Sequence, residues 1–454
     1  MELRQQIVLA AVLAGALPGM TWAQAVQTAV TPIADSMKVA GQTISLDEAI
    51  RLAQANEPTF RAAEAESRAL SIERTNARAA LLPSATYHNQ VLYTQPSGQV
   101  ARFGDIVGAP TPIFIANNAI REYASQGVFN ETIGFQQIGA IRSADATAAR
   151  AAAEAEVARR GLVNSVVTLY YTTASQRAKL ATAQRALDEA NRFVRTTQQR
   201  EAAREAAHAD VLKAHLQQQQ RERELDDVKL ASDRGRLELG VLLFTDPATP
   251  FQTEPAIVAT LGERQSVEAA ARENNPELRS ALASVQISEA DVYLARAAFL
   301  PDLGVNVTYG IDAAQVAVNG PRGVRNLGYS GSVSLDIPVW DWLTTERRLK
   351  ESKIRREAAK TMLTAAQRRL LADLSEFYDE AAVAQKQLAS LDESVASARE
   401  SLRLTNLRYV NGESTVLEVV DAQNTLTSTE AAQADGTLRY HVAFAQLQTL
   451  TGSL

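Results

Sequence analysis

Two periods of hydrophobic and polar residues alternate along the chain. In 302–312 the odd positions are Leu303, Val305, Val307, Tyr309 and Ile311, and the even ones are Asp302, Gly304, Asn306, Thr308, Gly310 and Asp312. That period of two predicts a strand with one apolar and one polar face. A second such run covers 326–337, with Leu327, Tyr329, Val333, Leu335 and Ile337 on one side. Asn319, Gly320, Pro321 and Gly323 between the two supply turn residues. A first-half hairpin is expected over roughly 84–95 and 120–129, with weaker alternation and a long loop at 96–118.

Elsewhere the period is helical. Leu180, Ala183, Leu187, Ala190 and Val194 step by three and four, as do Leu388, Leu391, Val395, Ala398 and Leu402. Each set reads as a coiled-coil seam. The fourteen prolines avoid 113–246 and 339–454, so each stretch has room for an uninterrupted helical hairpin. Pro83 and Pro301 are expected to end helices, since the residue before proline is pushed out of the α region.

The chain is written twice. Pro58 and Pro83 recur as Pro276 and Pro301, both 218 residues later. "DVLKA" at 210–214 answers "EVVDA" at 418–422, and Tyr170 answers Tyr378, both 208 residues later. The boundaries that follow are 45–83 and 265–300 for the shorter helices, 84–135 and 301–338 for the β-hairpins, and 136–244 and 339–454 for the long helical hairpins. Residues 245–264 form a linker and 26–44 an N-terminal segment.

Strands of about 11 residues with unlike faces fit a transmembrane β-barrel, and Trp340 and Trp342 fall where an interfacial aromatic girdle would lie. A periplasmic sandwich packed on its own helices is the competing architecture. Four strands per chain cannot close a barrel, and lipid tolerates no open sheet edge, so several chains must pool their strands. A long limb of about 65 residues spans roughly 98 Å, nearly matched by a return limb and a shorter helix end to end.

Composition narrows the compartment. Arg4, the apolar run from Ile7 to Leu17 and Ala23-Gln24-Ala25 read as an export signal over 1–25. The chain has no cysteine, which leaves neither disulfides nor a lipidated cysteine anchor. The net charge of −6 disfavours nucleic acid as a partner. No HExxH, Walker A or GxSxG motif occurs. His208 and His215 lack metal-ligand spacing. No enzyme, cofactor or metal site is expected.

The second hairpin turns at "RYVNGESTVLEVVDAQ". Gly412 can adopt φ > 0 at little cost, and Glu418 and Asp421 share one helix face. With the Asn-x-Pro and Asn-Pro helix starts and the two Leu-Pro ends, this motif resembles the TolC-type outer-membrane efflux family over about 45–452. The resemblance implies a homotrimer: a twelve-stranded outer-membrane barrel, four strands per chain, continuing into a long α-helical periplasmic barrel. It implies an exit duct, passive in itself, serving a periplasmic adaptor and an inner-membrane pump in tripartite efflux or type I secretion. By the same resemblance Glu418 and Asp421 form a ring at the closed periplasmic entrance. Asp210 and Tyr409 restrain the tips. Arg200, Arg408, Gly412 and Ser414 lie on the surface that meets the adaptor. The family's basic tip residue falls at Ser414 here, and Arg204, in the slot equivalent to Gly412, is expected to supply the charge instead. A periplasmic coiled-coil adaptor or scaffold is the alternative.

Overall fold

The computed structural model describes residues 42–93, 121–254, 260–313, 315–320 and 323–453. The expected export signal and the 96–118 loop lie outside the described residues. In chain order the elements are β1 (Gln42–Ile44), α1 (Leu46–Asn56), α2 (Pro58–Ala79), β2 (Ser84–Tyr93), β3 (Arg121–Ile133), α3 (Phe135–Ala202) and α4 (His208–Leu243). The second half continues with β4 (Phe251–Thr253), α5 (Arg264–Asn274), α6 (Pro276–Ala297), β5 (Asp302–Ala313), β6 (Leu327–Asp336), α7 (Thr344–Val410) and α8 (Val416–Thr451).

The four long strands form one antiparallel sheet in the order β2-β3-β5-β6, with β2 and β6 as open edges. Its register places Phe129 beside Val307, Val307 beside Gly331, and Glu131 beside Val305. One face therefore collects Tyr87, Val91, Phe129, Ile133, Val307, Tyr309, Tyr329, Val333 and Leu335, all exposed. The other collects Thr86, Gln126, Asn130, Asn306, Thr308, Asp312 and Ser332. The weak alternation of the first hairpin has a local reason. Asn89 and Ser125 sit on the apolar face, but Ser125 donates to Asn89 and shares a hydrogen bond with Tyr87. Their polar groups are thus satisfied by one another.

The helices pack on one another in a layer of their own. The long α3 is flanked on one side by α2 and α4 and on the other by α6 and α8, with α7 beyond them. Two short helices stacked end to end thus match one long one. The 68 residues of α3 and 67 of α7 make each about 100 Å long. The duplication extends to hydrogen bonds. Tyr170 donates to the Ile44 carbonyl, and its repeat partner Tyr378 donates to that of Gly262. Glu57 and Asn275 each cap the helix that starts at the following proline by accepting a backbone N–H.

Two expectations need correction. The helices before Pro83 and Pro301 end at Ala79 and Ala297. One tight turn intervenes, in which Leu82 and Leu300 donate to the carbonyls of Ala79 and Ala297. The proline limits its predecessor, but the helix unwinds before that limit is reached. The parallel pair β1–β4 was also not expected; three-residue strands are too short to show a period.

His441 on α8 is buried and stacks on Tyr171 of α3, ring centroids 3.8 Å apart. Its Nε2 has no partner, and burial lowers its pKa to about 4. The folded value lies below the unfolded one. Its contribution is therefore complete above about pH 6.5 and is lost as pH falls towards 4, on the order of 3 kcal/mol in all. Melting temperature should fall across that window, and His441→Phe, which keeps a stacking ring, should flatten the His-dependent part.

Candidate functional site

Both long hairpins turn by the same backbone device. Arg204 donates its N–H to the Glu201 carbonyl and Glu205 to that of Arg200. Gly412 donates to Tyr409 and Glu413 to Arg408. This paired pattern is a Schellman motif, which needs a left-handed residue after the helix. Gly412 provides it at φ 82°, and Arg204 stands in the equivalent slot at φ 61°. A side chain there costs roughly 1–2 kcal/mol. Arg204→Gly should therefore raise stability by about 1 kcal/mol, readable as an upward shift in melting temperature. The Arg204 side chain is exposed, with no ion pair among the described residues.

The second tip is the better capped. Thr415 and Glu418 form a reciprocal capping box at the start of α8, whereas α4 begins at Ala207 without a side-chain cap. Ser414 donates to the Glu418 carboxylate at 2.8 Å, and Arg408 lies 3.9 Å from it. The Ser414 hydrogen bond, followed by those from Thr415, holds the Glu418 carboxyl below the usual range. Glu418 is thus folded back onto its own helix end, while Asp421 is exposed without a partner among the described residues.

The expected pairing of Asp210 with Tyr409 is not made within the chain. Asp210 lies 3.8 Å from Lys213 on its own helix. Tyr409 is buried against Phe193, Val194, Ala214, Val416 and Val419, and its hydroxyl donates to Thr197 of α3 at 3.2 Å. Arg200, one turn further along α3, lies with its guanidinium 4.8 Å from the Tyr409 ring centroid. It also donates to the Tyr409 carbonyl. Its side chain, expected on the adaptor-docking tips, is only 16% exposed. It clasps the second tip to the first. Within the chain the contacts of Tyr409 thus come from α3 rather than from Asp210 on α4.

Sequence reasoning missed Glu430. Its nearly buried carboxylate accepts from Arg185 of α3 and Arg399 of α7, each at 2.8 Å, and from Thr182 at 3.1 Å. It thereby ties three helices together. The available signal was its phase: Glu430 follows Gln423 and Thr427 along the stripe of α8 that faces its neighbours. Among the described residues no group of His, Asp and Glu side chains could hold a metal ion, and no helix is long and apolar enough to cross a membrane.

The outer membrane efflux protein family model matches residues 269–453, which is the second repeat with its tip. Over that stretch the chain is similar to the outer membrane efflux protein family. The proteins it resembles are outer-membrane proteins by their names, among them OprJ of Pseudomonas aeruginosa and TolC of Vibrio cholerae. It is 24% identical to the protein CyaE of Bordetella pertussis over 330 residues, 71% of this chain and 66% of that one. The matched stretches span two thirds or less of the curated relatives' length. The fold agrees over more of the chain. The outer-membrane channel OprN superposes with a TM-score of 0.75 at 20% identity, covering 90% of this chain and 89% of OprN. VceC of Vibrio cholerae gives 0.75 at 19% identity, covering 90% and 96%.

Proposed function

We propose that three copies assemble into a closed twelve-stranded barrel over a helical tunnel. In this reading the assembly is the exit duct of a tripartite efflux or type I secretion system. The observation that carries it is the four-stranded sheet, with one apolar and one polar face and both edges open. Lipid cannot accept those edges, and neighbouring copies would pair β6 with β2. The lateral helices support the same closure. Ile354, Met362 and Leu371 are exposed on α7, and Leu212, Leu216, Leu230 and Val241 on α4.

The polar sheet face would line the lumen, and the tips would form the periplasmic entrance. Asp421 would contribute one carboxylate per copy there, with Glu418 beside it. Arg408, Gly412 and Ser414 remain the surface proposed to meet a periplasmic adaptor, with an inner-membrane pump supplying the energy.

The protein extracted in mild detergent should have the mass of a trimer and conduct ions in planar bilayers. Glu418→Gln with Asp421→Asn should weaken cation selectivity, because a narrow ring of like charge focuses the field. A stable monomer with intact strands would count against the duct. Unchanged selectivity would put the carboxylates outside the pore.

A further inference from the structure

The segment between β6 and α7 does something that its repeat partner does not. After Asp336 the chain presents Val339, Trp340, Trp342 and Leu343, which are 88%, 68%, 78% and 48% exposed. The two indole rings pack edge to face, centroids 5.9 Å apart. The turn holding them outward is built rather than loose. Trp342 and Leu343 are both left-handed, at φ 58° and 63°. Asp341 fastens the turn by accepting the Thr345 backbone N–H at 2.7 Å. This apolar projection continues the exposed Leu335 and Ile337 of the membrane-facing side of the sheet.

Below it, the opening turns of α7 read "TTERRLKESK". Arg347, Arg348, Lys350 and Lys353 are all exposed, and among the described residues none has an ion pair. The neighbouring Glu351 is already bound to Arg355, leaving Glu346 as the nearby unpaired carboxylate. The four cations lie roughly 5–14 Å along the helix from its first residue. Their long side chains can reach back from there to head-group depth. In the matching turns of α3 the sequence "FQQIGAIRSA" carries only Arg142, and no tryptophan precedes it. The duplicated fold therefore does not itself require the feature.

We propose that Trp340, Trp342 and the side chains of Arg347, Arg348, Lys350 and Lys353 form a collar that binds anionic phospholipid head groups in the periplasmic leaflet. The indoles anchor at the acyl boundary and the cations meet phosphate just beneath. Charge complementarity and continuity with the apolar sheet face select this occupant over a second copy of the chain. The proposal rests on the outer-membrane placement of the sheet.

The test uses tryptophan quenching. Of the three tryptophans, Trp22 falls in the expected export signal, so Trp340 and Trp342 are the only two in 26–454. The full chain is reconstituted in zwitterionic vesicles containing traces of brominated phosphatidylglycerol or brominated phosphatidylcholine. Phosphatidylglycerol should quench as though enriched about threefold or more at the collar, and 0.5 M salt should reduce the enrichment. Changing the four cations to Gln together should equalise the two lipids while leaving trimer mass and conductance unchanged. Lys350→Gln with Lys353→Gln should give an intermediate result if the fourfold variant assembles poorly. Equal quenching in the parent, or enrichment that survives the fourfold change, would overturn the collar but leave the duct intact. Quenching by neither lipid would overturn the membrane placement as well.

Discussion

Arginine in place of Val307 is expected to cost about 2–4 kcal/mol near the bilayer midplane and to reduce sharply the amount of assembled protein in outer membranes. Val307 sits on the apolar face between Phe129 of β3 and Gly331 of β6 and is exposed in the single chain. In the proposed barrel a guanidinium there would face lipid, and the nearest carboxylate on that face is Glu131, one pair along β3 beside Val305. One residue on, Thr308 belongs to the polar face beside Asn306, to which it donates at 3.1 Å. Thr308→Arg should assemble normally, since its charge would be hydrated. The contrast between adjacent positions is the test, read as trimer yield at equal expression. Equal tolerance at the two sites would mean that neither face meets lipid.

The second large effect is expected at the tips. Arg200→Ala removes a charge-assisted hydrogen bond and a cation–π contact from Tyr409, together worth roughly 2–3 kcal/mol in this half-buried setting. If tip separation is what opens the entrance, the closed state loses that amount, and the open-to-closed ratio rises about 30–150-fold. Single-channel conductance, or its open fraction, should rise accordingly. Tyr409→Phe removes only the hydroxyl bond to Thr197 and should do less, whereas Asp210→Ala should do little within one chain. A larger effect from Asp210→Ala than from Arg200→Ala would place the restraint between copies rather than within them. Lys in place of Arg200 should restore part of the closure, since it keeps the charge but not the planar fork.

Much of the architecture was legible along the chain because it rests on periods and repeats. The strand alternation at 302–312, the proline-free stretches and the 208-residue offset led to β5, the paired long helices and the equivalence of slots 204 and 412. The last emerged even though Arg204 and Gly412 are unlike residues, because register alone identifies them. The polar restraints at the tips were less legible. The sequence reading pairs Tyr409 with Asp210 on α4. The structure supplies Arg200 and Thr197 from α3 because the buried tip cluster turns that face of α7 towards α3. Which side chain of a neighbouring helix fills a contact depends on rotation and axial offset between helices, and neither is written into either helix's own period. Glu430 was missed for the same reason.

By itself the sequence determined the duplication, the lengths of strand and helix, the two-faced character of the sheet and the turn at Asn411-Gly412. These depend on interactions between residues close in the chain, or on a repeat that can be counted. Only the tertiary structure decided that the Glu430 carboxylate meets Arg185 of α3 and Arg399 of α7. It likewise decided that Arg200 turns inward onto Tyr409, and that Asn89, Ser125 and Tyr87 satisfy one another on an otherwise apolar face. Each of those outcomes is a choice among hydrogen-bond partners of similar strength. Such a choice is made by which partners packing brings within about 3 Å, and that packing distance is set by the assembled helices and strands together.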